Sequence, residues 1–257
     1  MPAAGRGNRP HNPAHAAPDR ERAEILSGYF RDPEIGAIFD VSGGSIANGV
    51  LGYLEWDAIR GNPKPFVGYS DLSTLVNSIH TVTGEPTYLW QILALGSRES
   101  AWEDAKEDYG DARERFEATV LRGEPGIFEL DDVRFLQGSS MAGELVGGNL
   151  SCLLKLAGTD WFPALEGRIL ALEALSSDAA TVHTYLTQLK HLGAFDWCEG
   201  ILLGQFTRLS RIYGHGALER IVEDVVDTDI PIARTESFGH SADSRALKVG
   251  GAYEFSG

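Results

Sequence analysis

Apolar and polar positions alternate along this chain in blocks of two kinds. Short apolar runs bounded by turn residues have strand length: AIFDV (37–41), PFVGY (65–69), RILALE (168–173), GILLGQF (200–206) and IPIART (230–235). Residues 88–93 read as a further strand. Between these runs lie amphipathic stretches with helical spacing, at 21–30, from the glycine turn through Tyr53 and Trp56 to 59, and at 71–82, 150–158, 180–192 and 217–226. Alternating strand and helix predicts an α/β architecture. AIFDV is expected to be a short buried strand. Residues 102–121 mix acidic and basic side chains and read as an exposed helical excursion. Residues 123–140 (GEPGIFELDDVRFLQGSS) are turn-rich and irregular, so the division between two domains is expected there. The predicted organisation is a tail at 1–19, a first α/β domain at 20–122, a linker at 123–140 and a second α/β domain at 141–257.

Composition narrows the function. A chain of 257 residues can bury one large core or two modest ones. Its formal net charge of -15 repels phosphate backbones and anionic lipid, which argues against nucleic acid or a membrane as the main partner. The two cysteines, Cys152 and Cys198, are far apart and each lies in an apolar stretch. They read as buried free thiols in a reducing compartment. No run approaches the length of a membrane span, and the first twenty residues lack the apolar core of a secretory signal. A cytoplasmic protein is expected.

The stretch PFVGYSDLSTL carries the clearest chemistry. An apolar strand runs through Gly68 and Tyr69 directly into Ser70, Asp71 and a helix. A serine at such a turn has its hydroxyl lifted above the sheet edge, with the amide of the next residue facing the same space. Ser70 could instead cap the helix, and by pattern alone capping is the better reading. SGGSIANG (42–49) also joins a strand to a helix. Gly43 and Gly44 would let backbone amides approach a ligand or an oxyanion, although such a turn is often only a turn. A serine nucleophile needs a base and an orienting acid. His240 lies in a loop after a predicted strand, where functional residues concentrate. Glu173 ends an apolar strand, a costly place for an unpaired carboxylate, though it reads equally as an exposed strand end. His80, His183 and His191 fall in helical patterns, and His215 lies in a Gly-rich loop. No spacing suits a metal, so neither a metal nor another cofactor is expected.

The segments DPEIGAIFDVSGG, NPKPFVGYSDLSTL, GELVGGNLSCLLKLAGT, RILALE, GAFDWCEGILLGQF and FGH occur in the order seen in LD-carboxypeptidases, a serine peptidase family that includes the microcin C immunity peptidases. The resemblance spans roughly residues 20–250. It implies a flavodoxin-like, parallel-sheet first domain and a smaller second domain, with the site in the cleft between them. It implies Ser70 as nucleophile, His240 as base and Glu173 as its orienting acid. Asp71, Gly43 and Gly44 would form the oxyanion hole, and Asn149 would lie near the substrate. Family members cleave amide bonds near a free carboxyl end, in murein peptides or in peptidyl-nucleotide antibiotics. SGGSIANGVL and the segment 176–195 resemble the immunity branch more.

Family members usually begin with a further strand and turn before the region matching residue 21. The first sheet is therefore expected to lack its first strands, and a homodimer is expected to cover what that leaves open. Leu89-Trp90-Gln91 and Ala174 also depart from the family pattern in the pocket. The alternative is a family member that has lost catalysis and serves as a binding protein.

Overall fold

The computed structural model of the chain describes residues 17–41, 43–95, 110–241 and 243–257. The expected tail at 1–19 lies outside the described residues up to residue 16, and a helix already begins at Asp19 (Asp19–Arg31). The excursion at 102–121 is described only from residue 110, where the helix Gly110–Arg122 runs.

Ten strands occur among the described residues: β1 (Ile38–Phe39), β2 (Phe66–Gly68), β3 (Thr87–Leu89), β4 (Arg134–Gln137), β5 (Ser140–Asn149), β6 (Arg168–Ala174), β7 (Gly200–Phe206), β8 (Ile232–Arg234), β9 (Leu247–Val249) and β10 (Ala252–Ser256). They form two sheets, ordered β1-β2-β3-β9 and β10-β5-β6-β7-β8-β4. In the first, β1, β2 and β3 are parallel and β9 is antiparallel. In the second, β5 to β8 are parallel, flanked by antiparallel β10 and β4. The α/β class read from the sequence is what the chain adopts, with a parallel sheet in each half.

The central strands are apolar without alternation because both faces are covered. Ile169, Leu170, Ala171 and Leu172 of β6 and Leu202 and Leu203 of β7 are all fully buried. They make up the middle of a core that extends across both sheets.

Three expectations need correcting. AIFDV is not a buried strand: only Ile38–Phe39 pair, on the sheet's edge, and Phe39 is 41% exposed. The stretch 123–140 is not only a linker, since β4 lies in it and pairs with β8 at the edge of the second sheet. Nor is the first sheet built only from residues before 123, because β9 returns to pair with β3 (Thr87↔Val249, Leu89↔Leu247).

The helix Ser73–Thr83 fixes the two halves to each other. Ser73, Thr74 and Asn77 on it are fully buried, although polar. Their partners explain this. Asn77 Nδ2 donates to Gly147 O at 2.8 Å and to Ser73 O at 2.7 Å, while Gly147 N donates to Asn77 Oδ1 at 2.9 Å. Ser73 Oγ accepts from Asn149 N at 3.0 Å. The helix that follows Ser70 is thereby bonded to the end of β5. Among the described residues, no helix is long and apolar enough to cross a membrane.

Candidate active site

Ser70 lies between the end of β2 and the helix Ser73–Thr83, in a single 3-10 turn, Ser70–Leu72. Its φ is +54°, and among the described residues only Asp132 is another non-glycine with positive φ. That conformation costs a residue with a Cβ on the order of 1 kcal/mol. The gain is a sharp reversal from strand to helix. Gly68 permits it, because a Cβ there would stand 2.6 Å from Leu72 Cβ. Ser70 is half-buried, and no side-chain cap bond opens the turn. The first amides of a helical turn have no acceptor within it, so they are available to a ligand.

His240 Nδ1 and Glu173 Oε2 are 2.8 Å apart, and both side chains are almost wholly buried. An ionised carboxylate can only accept, so Nδ1 carries the proton and Nε2 of the neutral ring is the bare, accepting nitrogen. Nε2 is buried and has no hydrogen-bond partner. Such an atom costs roughly 1–3 kcal/mol, which points to a use outside the resting fold. The ring of Tyr69, the residue before Ser70, stands 5.9 Å from the His240 ring. Ser70 and Glu173 line one small pocket together with Tyr69, Gln91, Gly239 and Arg245. Burial, and then the charge of Asp40, raises the Tyr69 phenol above its usual range, so it stays a neutral donor beside His240.

The loop bearing His240 is held from two sides. Gln205, at the end of β7, accepts from His240 N at 3.1 Å and from Ser241 N at 3.0 Å. It donates to Glu236 O at 2.7 Å and to Ser241 Oγ at 2.6 Å. From the first sheet, Trp90 Nε1 donates to Ser244 O at 3.0 Å and Gln91 Nε2 to Ser241 O at 3.2 Å. Neither Gln205 nor Trp90 carries a signal in the sequence that marks this role.

The glycine turn packs against the serine turn. A Cβ on Gly43 (φ +60°) would lie 3.3 Å from Ser70 Cβ, and one on Gly44 (φ +149°) 3.5 Å from Asp71 Oδ2. Gly43 N donates to Asp40 Oδ2 at 2.7 Å, so that amide is already engaged. Asp71 is buried and accepts from Ala47 N at 2.7 Å, and its other oxygen pairs with Lys155 Nζ. Asn149 lies beside the acid. Its Nδ2 donates to Glu173 Oε1 at 2.9 Å, and its Oδ1 accepts from Ser151 Oγ at 2.8 Å and Cys152 N at 3.3 Å. Both oxygens of Glu173 therefore have a donor.

The other histidines among the described residues lie elsewhere. His80 is buried against Glu85 O and Glu144, His183 faces Asp224, His191 is exposed, and His215 lends its carbonyl to Arg234. Cys152 and Cys198 are free and buried, and burial pushes both thiols up to about 11. Among the described residues no cluster of His, Cys, Asp or Glu is placed to hold a metal ion.

Residues 3–89 match the LD-carboxypeptidase N-terminal domain, and residues 142–255 the LD-carboxypeptidase C-terminal domain. The chain is 31% identical over 243 residues to the murein tetrapeptide carboxypeptidase of Pseudomonas aeruginosa, covering 90% of this chain and 75% of that protein. It is 30% identical over 239 residues to a probable murein peptide carboxypeptidase of Bacillus subtilis, covering 91% and 73%. The crystal structure of an MccF-like protein from Bacillus anthracis superposes with a TM-score of 0.78 at 27% identity, covering 96% of this chain and 80% of that one. A fold of two parallel-sheet halves and a match over most of its length thus lead to one conclusion: the chain belongs to the LD-carboxypeptidase family of serine peptidases.

Proposed function

We propose that the protein cleaves an amide bond near a free carboxyl terminus by acyl transfer to Ser70, with His240 as base and Glu173 as the acid that orients it. One observation carries this reading: a buried His240 whose Nδ1 is committed to Glu173 and whose ring stands 5.9 Å from that of Tyr69, the residue before a serine held at positive φ, with Nε2 not hydrogen-bonded to Ser70 or to any other group. Nε2 takes the hydroxyl proton as Ser70 Oγ attacks the scissile carbonyl. Glu173 stabilises the imidazolium that forms, and Asn149 keeps the carboxylate in place. The amides of Asp71 and Gly44 receive the oxyanion, while Gly43 closes the space behind Ser70. The protonated His240 then gives its proton to the leaving amine, and water hydrolyses the acyl-enzyme with His240 again as base.

The relatives, whose names divide between murein peptide carboxypeptidases and MccF-like proteins, support the choice of substrate class. A small peptide or a peptidyl-nucleotide conjugate is the proposed substrate, acted on in the cytoplasm. Exposed Phe39 and Val41, at and beside the edge strand β1, support a homodimer, which sedimentation would detect as a doubled mass.

The test is Ser70→Ala, assayed against murein tetrapeptide and aminoacyl sulfamoyl nucleosides. The expected loss in kcat is about a million-fold, with little change in substrate affinity. If Ser70 only capped its helix, the variant would lose about 1 kcal/mol of stability and keep its activity. A folded Ser70→Ala that hydrolyses at close to the wild-type rate refutes the proposal.

A further inference from the structure

Lys155 belongs to the second half of the chain, yet its side chain reaches into the first. It follows Asn149 by six residues, in the 3-10 turn Leu154–Leu156 that continues the short helix Leu150–Leu153. Its Nζ donates to Ser45 O at 2.9 Å and pairs with Asp71 Oδ1. Three chain segments converge on this ammonium: the glycine turn, the residue after Ser70, and the segment whose first residue holds Glu173. The Asp71 carboxylate is only 2% exposed, and its other oxygen already accepts from Ala47 N.

Two physical consequences follow. Asp71 is a buried anion one residue from the nucleophile, and its own amide is among those proposed to receive the oxyanion. An uncompensated charge there would oppose the negative charge that develops in the transition state, in a setting of low effective dielectric. The glycine turn also needs to be fixed against Ser70 for its amides to be preorganised, and Lys155 ties Ser45 O to Asp71 directly. We infer that Lys155 is a positioning residue for the serine chemistry: it neutralises Asp71 and clamps the glycine turn onto the turn of Ser70. The inference rests on the serine peptidase reading and adds to it that the second half supplies a charge to the oxyanion side as well as the acid and base.

The test uses a fluorophosphonate, which needs no knowledge of the natural substrate. Ser70 Oγ attacks phosphorus, the Oγ–P bond forms, fluoride leaves, and the hydroxyl proton passes to His240. The phosphoryl oxygen occupies the oxyanion site. Lys155→Met should be labelled roughly a hundredfold more slowly than the wild type, compared at a temperature at which circular dichroism shows both to be folded. Adding Asp71→Asn removes the charge that needs compensation, so the double variant should recover at least about tenfold of that loss. A protein destabilised only by lost packing would not recover in this way. If Lys155→Met fails to fold, Lys155→Gln replaces it, with the same slowing and the same recovery expected. A folded single variant labelled within roughly threefold of the wild type, or a double variant no faster than the single, overturns the inference while leaving Ser70 as nucleophile. A wild type that is not labelled at Ser70, read by mass spectrometry, overturns the peptidase reading and this inference with it.

Discussion

Replacing Glu173 by glutamine tests the base most directly, because the exchange hardly changes shape. In the native site the carboxylate accepts from His240 Nδ1 at 2.8 Å and from Asn149 Nδ2 at 2.9 Å. Glutamine offers one acceptor oxygen and one donor NH2. If its oxygen stays with Asn149, its NH2 faces Nδ1 and imposes the tautomer with the proton on Nε2. That ring cannot take a proton from Ser70. If its oxygen turns to His240, two NH2 groups confront each other in a buried site, and the charge that steadies the imidazolium is gone in either case. The known consequence of trapping the wrong tautomer in a catalytic triad is a fall in kcat of about ten-thousandfold. At about 1.4 kcal/mol per tenfold, that is roughly 5.5 kcal/mol of transition-state stabilisation. Stability should change far less, since a buried charge is removed along with its bonds. The assay compares kcat of Glu173→Gln and wild type on a cleaved peptide, with thermal melts as control. A folded Glu173→Gln within about tenfold of wild-type kcat would refute the assignment of Glu173 as the orienting acid.

Three further outcomes are expected. Asn77→Ala should destabilise the fold by about 2–5 kcal/mol in urea unfolding, because Gly147 loses partners for both its N–H and its C=O inside the core. Gln205→Ala should lower kcat by roughly tenfold to a hundredfold with KM little changed, since the His240 loop loses four hydrogen bonds without any change to the groups that react. Cys152 and Cys198 should resist iodoacetamide at pH 8 in the native state and react after unfolding, because burial pushes both thiols up to about 11. Their folded pKa values lie above the ordinary thiol value of 9.0, so the folded state holds more protons between 9 and 11. Stability should therefore fall as pH rises through that window, by at most about 1.4 kcal/mol per thiol per pH unit.

The sequence carried the middle of the fold clearly and its edges poorly. RILALE and GILLGQF could be read as strands because residues buried on both faces leave an unbroken apolar run. β9 is three residues, Leu247–Val249, with an exposed lysine at its centre, and nothing local distinguishes it from a loop. β10, AYEFS, does alternate, yet it is only five residues long and follows two glycines, which mask its strand pattern. AIFDV misled in the opposite direction, since an apolar composition does not reveal that a strand lies on an edge. For the site, Ser70 had a local signal in its strand-to-helix turn, whereas Glu173 and His240 came from the ordered resemblance. Gln205, Asn77 and Lys155 could not be found in this way. Their roles depend on partners 35, 70 and 84 residues away, and no spacing rule spans such separations.

The return of β9 to the first sheet sets an order on synthesis. When residues 38–89 leave the ribosome, β1, β2 and β3 can pair, but β3 keeps a bare edge until residues 247–249 have been made. Long-range pairing of this kind is slow and leaves a template for unwanted association in the meantime. Gln91 and Ser241, the residue after His240, come together over the same interval, because the loop carrying Ser241 leads directly into that strand. A nascent chain therefore acquires the turn of Ser70 early and the fixed loop of His240 only as the first sheet is closed. On the proposed assignment, an unfinished chain would carry a serine with nothing to activate it until translation has passed residue 249.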